Sequence, residues 1–69
     1  MFAERLKEAR KRKGISQRSL AQELEITPSE VSKYETRVRE PGLGKLVGIA
    51  LALGVTTDYL LGLSDEIDK

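Results

Sequence analysis

The sequence predicts an all-α fold, a compact five-helix bundle containing a helix-turn-helix, and three observations carry that prediction. Residues 16–36, SQRSLAQELEITPSEVSKYET, write two short amphipathic helices across a three-residue joint. Helix start and stop signals divide the rest of the chain into three further segments with helical, not strand, spacing. The chain has 69 residues and no cysteine, so one small domain must be held by packed Leu, Ile, Val and Ala alone.

Residues 2–13 suit the first helix. Phe2, Leu6 and Ala9 or Arg10 recur at helical spacing, with Glu4 and Glu8 early and Arg10, Lys11, Arg12 and Lys13 late, as the helix dipole favours. Gly14 stops it, because glycine takes the left-handed backbone past a helix end without a Cβ clash. Ile15 returns the chain to the core, and Ser16 N-caps a second helix over 17–24.

Glu25, Ile26 and Thr27 form the joint. Thr27, Pro28 and Glu30 spell a capping box with proline at the first helical position, which starts a third helix over 28–36. Arg37 to Gly42 is a loop pinned by Pro41. Leu43, Leu46, Val47, Ala50 and Leu51 then mark the apolar stripe of a fourth helix closed by Gly54. Gly44 and Gly48 inside that helix are unfavourable by roughly 1 kcal/mol each relative to alanine; close approach of another helix would offset this, a softer helix being the alternative. Thr56 or Thr57 caps a fifth helix through Tyr59, Leu60 and Leu61. Residues 1–63 are expected to form the domain, and 64–69 a charged tail with little to bury.

Within the helix-turn-helix, Leu20, Ala21, Leu24, Ile26, Val31 and Tyr34 are the inward positions. At about 100° per residue from Pro28, the set Ser32, Thr36, Ser29 and Lys33 falls between roughly 40° and 140°, whereas Tyr34 and Val31 fall near 240° and 300°. The third helix therefore packs with one face and offers a small, polar, cationic arc with the other. Such an arc enters a DNA groove without steric or charge penalty, and its hydroxyls and ammonium can meet base edges. On a lone helix the same face is more often plain solvated surface, but the joint to a second short helix at the correct core spacing turns the reading toward binding.

Composition narrows the function further. With neither His nor Cys, the usual zinc ligands, the commonest general base and the familiar nucleophile arrangements are all missing, so no enzyme, metal site or cofactor is expected. No apolar run approaches the roughly 20 residues that span a bilayer. Phe2 is followed at once by Glu4, Arg5 and Lys7, unlike a secretory signal, and a soluble, cytoplasmic protein is expected. The net charge of +1 hides an asymmetry: residues 1–39 carry ten Lys or Arg against six Asp or Glu, and residues 40–69 carry two against five. A molecule with one basic half orients in the field of a polyanion.

RLKEARKRKGISQ, the SQ-to-YE stretch and LALGVTTDYLLG, in that order, resemble the DNA-binding domain of the lambdoid phage repressor and Cro family, the XRE-type helix-turn-helix. The resemblance implies a lambda-repressor-like fold whose recognition helix is 28–36, bound as a dimer to a pseudo-palindromic, double-stranded operator with half-sites about one helical turn apart. It implies base reading by Pro28, Ser29, Ser32 and Lys33. It implies phosphate contacts from Arg10, Gln17, Arg18, Thr27, Thr36, Arg37 and Arg39, and an internal ion pair between Arg10 and Glu35. Dimer contacts are expected around Tyr59, Leu60 and Leu63, weak in solution and completed on DNA. Glu25 and Arg37 stand where the family often has glycine in a left-handed conformation, a cost on the order of 1 kcal/mol each. Ser19 stands where glutamate would complete a capping box.

The leading reading is a sequence-specific transcriptional regulator, most simply a repressor. The alternative is a protein-interaction module on the same fold, such as an antitoxin or coactivator domain, with Leu60, Leu63 and Ile67 as its surface. Steep weakening of DNA binding by salt separates the two.

Overall fold

The computed structural model describes residues 1–67, which form five α-helices and no strand: α1 (Phe2–Lys13), α2 (Gln17–Leu24), α3 (Pro28–Glu35), α4 (Leu43–Leu53) and α5 (Thr57–Leu61). No helix among these residues is long and apolar enough to cross a membrane.

Local hydrogen bonds set most boundaries. The hydroxyls of Ser16, Thr27 and Thr56 accept the backbone N–H three residues on, opening α2, α3 and α5. α1 and α4 end on left-handed Gly14 and Gly54. α3 stops at Glu35, one residue short of the sequence expectation. Thr36 has left the helical conformation, with φ −106° and ψ 9°, although its N–H still reaches Ser32 O. The capping box of α3 is only half made. Thr27 Oγ1 accepts from Glu30 N at 3.2 Å, but the Glu30 carboxylate turns to accept the Tyr34 hydroxyl at 3.0 Å.

Each helix sends one fully buried side chain into a common core: Leu6, Leu20, Val31, Ile49 and Leu60. α3 packs on α2 and α1, α4 on α2, and α5 on α1 and α4. Tyr59 and Leu60 lie in this core, 4% and 0% exposed, so neither can serve the dimer contact expected of it, and Leu60 is also unavailable to a protein partner. In α4 the buried residues are Leu46, Ile49, Ala50 and Leu53, while Leu43, Val47 and Leu51 of the expected stripe face solvent. Of the two glycines in α4, Gly48 lies against α2, where an added Cβ would come within 3.3 Å of Leu24 Cδ2. Gly44 faces open space, so close packing accounts for one and not the other.

Residues 64–67 differ from the solvated tail that was expected. Arg5 lies over the Tyr59 ring, 4.4 Å from its centroid, and donates to the carbonyl of Ser64 and to Asp65 Oδ1, each at 2.8 Å. Thr56 N donates to Ile67 O at 3.3 Å, and the Ile67 side chain packs on the core.

A shielded ion pair ties α1 to α3. Arg10 Nε and Nη2 donate to the two oxygens of Glu35 at 2.6 and 3.1 Å, and Arg10 Nη1 donates to Ile15 O at 2.9 Å. The pair is well shielded, with the Arg10 side chain 11% and the Glu35 side chain 2% exposed. It fastens α1 and the following turn to the end of α3.

Two stability predictions follow from these contacts. A double-mutant cycle on Arg10→Met and Glu35→Gln should give a coupling of roughly 1 to 3 kcal/mol in urea unfolding, because either single change strands a shielded charge; additive effects would mean that the pair is energetically idle. Glu25 adopts φ 58°, left-handed without being glycine. Glu25→Gly should raise stability by about 0.5 to 1 kcal/mol, the relieved backbone strain exceeding the added entropy of the unfolded chain. A lowered urea midpoint would show that the Glu25 side chain contributes more than its backbone costs.

Candidate nucleic-acid interface

α3 is held from one side only. Val31 and Tyr34 are buried, and the Glu35 side chain is tied to Arg10, whereas Pro28, Ser29 and Lys33 are exposed and Ser32 is half-buried. These four residues share the arc opposite the core, and Lys33 enters none of the ion pairs among the described residues. The arc thus offers two hydroxyls, able to donate and accept, beside one ammonium that only donates.

Around that arc stand the groups expected at phosphates. Gln17 Nε2 donates to Glu35 Oε1 at 3.0 Å, which fixes the amide and leaves its second N–H and its carbonyl available. Arg18 is exposed at the start of α2 and enters no ion pair among the described residues. The Thr27 hydroxyl accepts from Glu30 N and keeps its own hydrogen for donation.

The expectation for Arg10 is corrected here, and Thr36 carries an internal bond. Arg10 is turned inward and divides its guanidinium between Glu35 and Ile15, so its place is structural and not at a phosphate. The Thr36 hydroxyl donates to Ser32 O at 2.9 Å. A phosphate oxygen only accepts, so a contact with Thr36 would replace this bond to its own helix.

The loop arginines have carboxylate neighbours. Arg37, at φ 67°, pairs with Glu4 of α1, and Arg39 Nη1 lies 4.0 Å from Glu30 Oε1. The Met1 ammonium lies 3.0 Å from the other Glu4 oxygen. That ammonium, the backbone N–H of Glu4 itself and Arg37 together hold the Glu4 carboxyl well below its ordinary value, at about 2. The Tyr34 hydroxyl, buried beneath α3 and bonded to Glu30, is raised above the usual phenol range, burial being the larger cause.

The sequence reading missed a second surface. Leu43, Val47 and Leu51 are 83%, 50% and 64% exposed, whereas Leu63, expected at the surface, is 75% exposed. Helical spacing had grouped the α4 leucines with the core. The available signal was width: from Ile49 round to Leu51 the apolar arc of α4 spans roughly 200°, about twice what one core-facing stripe needs.

With this geometry in place, the chain compares closely with known proteins. Residues 6–60 match the helix-turn-helix family. The HTH-type transcriptional regulator ImmR of Bacillus subtilis is 41% identical over 68 residues, which cover 99% of this chain and 53% of ImmR, so the chain spans about half the length of that relative. The P22 c2 repressor, crystallised in complex with a synthetic operator, superposes with a TM-score of 0.87 at 28% identity, over 93% of this chain and 97% of that one. The N-terminal DNA-binding domain of SinR from Bacillus subtilis gives 0.81 at 31% identity, over 88% and 90%. The matched sequence, the five-helix order and the exposed polar arc of α3 agree, and the chain belongs to the helix-turn-helix family of lambdoid-repressor type.

Proposed function

We propose that this chain is the DNA-binding domain of a transcriptional repressor, and that it reads a pseudo-palindromic operator as a dimer with α3 in the major groove. The observation that carries the reading is the opposition of the two faces of α3, buried Val31 and Tyr34 behind, Ser29, Ser32 and Lys33 in front. The likeness to the P22 c2 repressor, crystallised with a synthetic operator, supports the same placement. Lys33 is the main base reader, since three donors and no acceptor suit guanine O6 and N7 better than the mixed pattern of adenine. Pro28, Ser29 and Ser32 admit close approach. Gln17, Arg18, Thr27, Arg37 and Arg39 meet the phosphates, with the first N–H groups of α2.

The dimer contact moves from α5 to α4. Leu43, Val47 and Leu51 present an apolar strip, and Val47 and Leu51 share a shallow depression with Thr56 and Thr57 at the α4–α5 corner. Three side chains cover much less than the roughly 800 Å² per partner of a standard stable interface. The dimer is therefore weak alone and completed when two half-sites hold both copies.

Selection of bound sequences from a random DNA pool tests the whole reading, since it reports binding, two-fold symmetry and half-site spacing together. Failure to recover any sequence, with no salt-dependent affinity, would favour the protein-interaction reading, for which the same α4 strip would be the contact surface. Lys33→Ala should cost about 1 to 3 kcal/mol at one base pair of each half-site and little on non-specific DNA, whereas Arg39→Ala should weaken all sequences alike and flatten the salt slope by about one unit. Uniform weakening by Lys33→Ala would make Lys33 a phosphate contact instead. Val47→Asp should abolish cooperative binding to a two-half-site operator while leaving the affinity for an isolated half-site intact; unchanged cooperativity would put the dimer contact elsewhere.

A further inference from the structure

We infer that Glu4 is an affinity-setting residue of the DNA interface: its carboxylate occupies, on the Arg37 guanidinium, the place that a backbone phosphate takes when the loop meets DNA. This rests on the DNA-binding reading above and adds a residue that neither the recognition helix nor its flanks include. Three features of the geometry lead to it.

Arg37 gives Glu4 a single donor, Nη2 to Oε2, and a guanidinium N–H donates to a phosphate oxygen as readily as to a carboxylate oxygen, so one anion can replace the other without rearranging the arginine. Both partners are open to solvent, Arg37 at 68% and Glu4 at 57% exposed, which keeps the pair exchangeable, unlike the shielded Arg10 and Glu35. Glu4 also holds the Met1 ammonium at 3.0 Å. Releasing Arg37 to a phosphate therefore does not leave the carboxylate without a cation.

Arg39 differs. Its neighbour Glu30 is 4.0 Å away and is committed to the Tyr34 hydroxyl at 3.0 Å. Of the two loop arginines, Arg37 is the one whose phosphate contact competes with an intramolecular contact already made. Part of each encounter with DNA is then spent exchanging one anion for another on the same cation, whatever the base sequence.

The test is fluorescence anisotropy with a mixed-sequence DNA duplex over a series of salt concentrations, using the chain with a free Met1 amine and its Glu4→Gln, Arg37→Ala and doubly substituted variants. Thermal melts confirm that each variant is folded; both positions are exposed. Glu4→Gln should tighten binding about two- to fivefold, the range of an exposed ion pair, and steepen the salt slope by up to about one unit. In the Arg37→Ala background the same change should give no gain. A gain that persists without Arg37 would reduce Glu4 to a general like-charge effect and overturn the inference. Weaker binding by Glu4→Gln would make Glu4 a support for Arg37, and unchanged binding would make the pair irrelevant; both overturn it too. Salt-dependent binding indifferent to Glu4 sinks this inference alone, whereas absence of salt-dependent binding by the unaltered chain sinks the DNA reading and the inference with it.

Discussion

A carboxylate 2% exposed at the last position of α3 constrains the arrangement of the first three helices. Removing a charge from water is expensive unless it is paired and its remaining lone pairs are filled. Glu35 meets that demand with three donors, two from Arg10 and one from Gln17. Arg10 in turn holds the Ile15 carbonyl in the turn between α1 and α2. The last turn of α1, its exit, the first residue of α2 and the end of α3 thus converge on one charge. Because Gln17 also opens the helix proposed to meet a phosphate, the pair that closes the fold sets the distance between backbone contact and recognition helix.

The apolar core works with that charge. One wholly buried side chain from each helix, Leu6, Leu20, Val31, Ile49 and Leu60, meets the others in a domain too small to hold a second layer. Loss of any of them would loosen all five helices at once. The outward arc of α3 has no such duty, since Pro28, Ser29 and Lys33 are exposed. Ser29 and Lys33, proposed above to meet bases, can therefore be exchanged at little cost to folding, whereas Pro28 also starts the helix, and the angle between α2 and α3 stays fixed by Leu20, Ala21, Val31 and Tyr34.

What was legible in the sequence is what depends on neighbours along the chain. Ser16 and Thr27 cap helices through bonds to the residue three positions on, and Gly14 and Gly54 end them through their own φ, so residue type and order suffice; at α5 the same rule left Thr56 and Thr57 both open, and the bond from Tyr59 N selects Thr56. The left-handed backbone at Glu25 and Arg37 was legible only through family resemblance, because neither residue type announces it. Contacts between distant positions were harder. Nothing in the spacing says that Arg5 will gather Tyr59, Ser64 and Asp65, or that Glu4 will meet Arg37. In α4 the pattern was present but wider than one face, and the division between Ile49 and Leu53 inside and Val47 and Leu51 outside comes from where α2 and α5 lie.

The basic half of the molecule is also less free than its count of cations suggests. Of the arginines first assigned to phosphates, Arg10 is consumed by Glu35, Arg37 faces Glu4, and Arg39 stands near Glu30, leaving Arg18 without an acidic partner among the described residues. Non-specific affinity for DNA comes almost wholly from cations that neutralise phosphates, and specificity is the ratio of operator binding to that background. On the inference drawn above, the Glu4–Arg37 pair lowers that background on every sequence alike. Lys33, which carries most of the proposed base discrimination, is left unpaired on the recognition helix. In the reading proposed above, carboxylates beside the arginines assigned to phosphates, and away from Lys33, weaken the common part of binding while leaving the selective part intact.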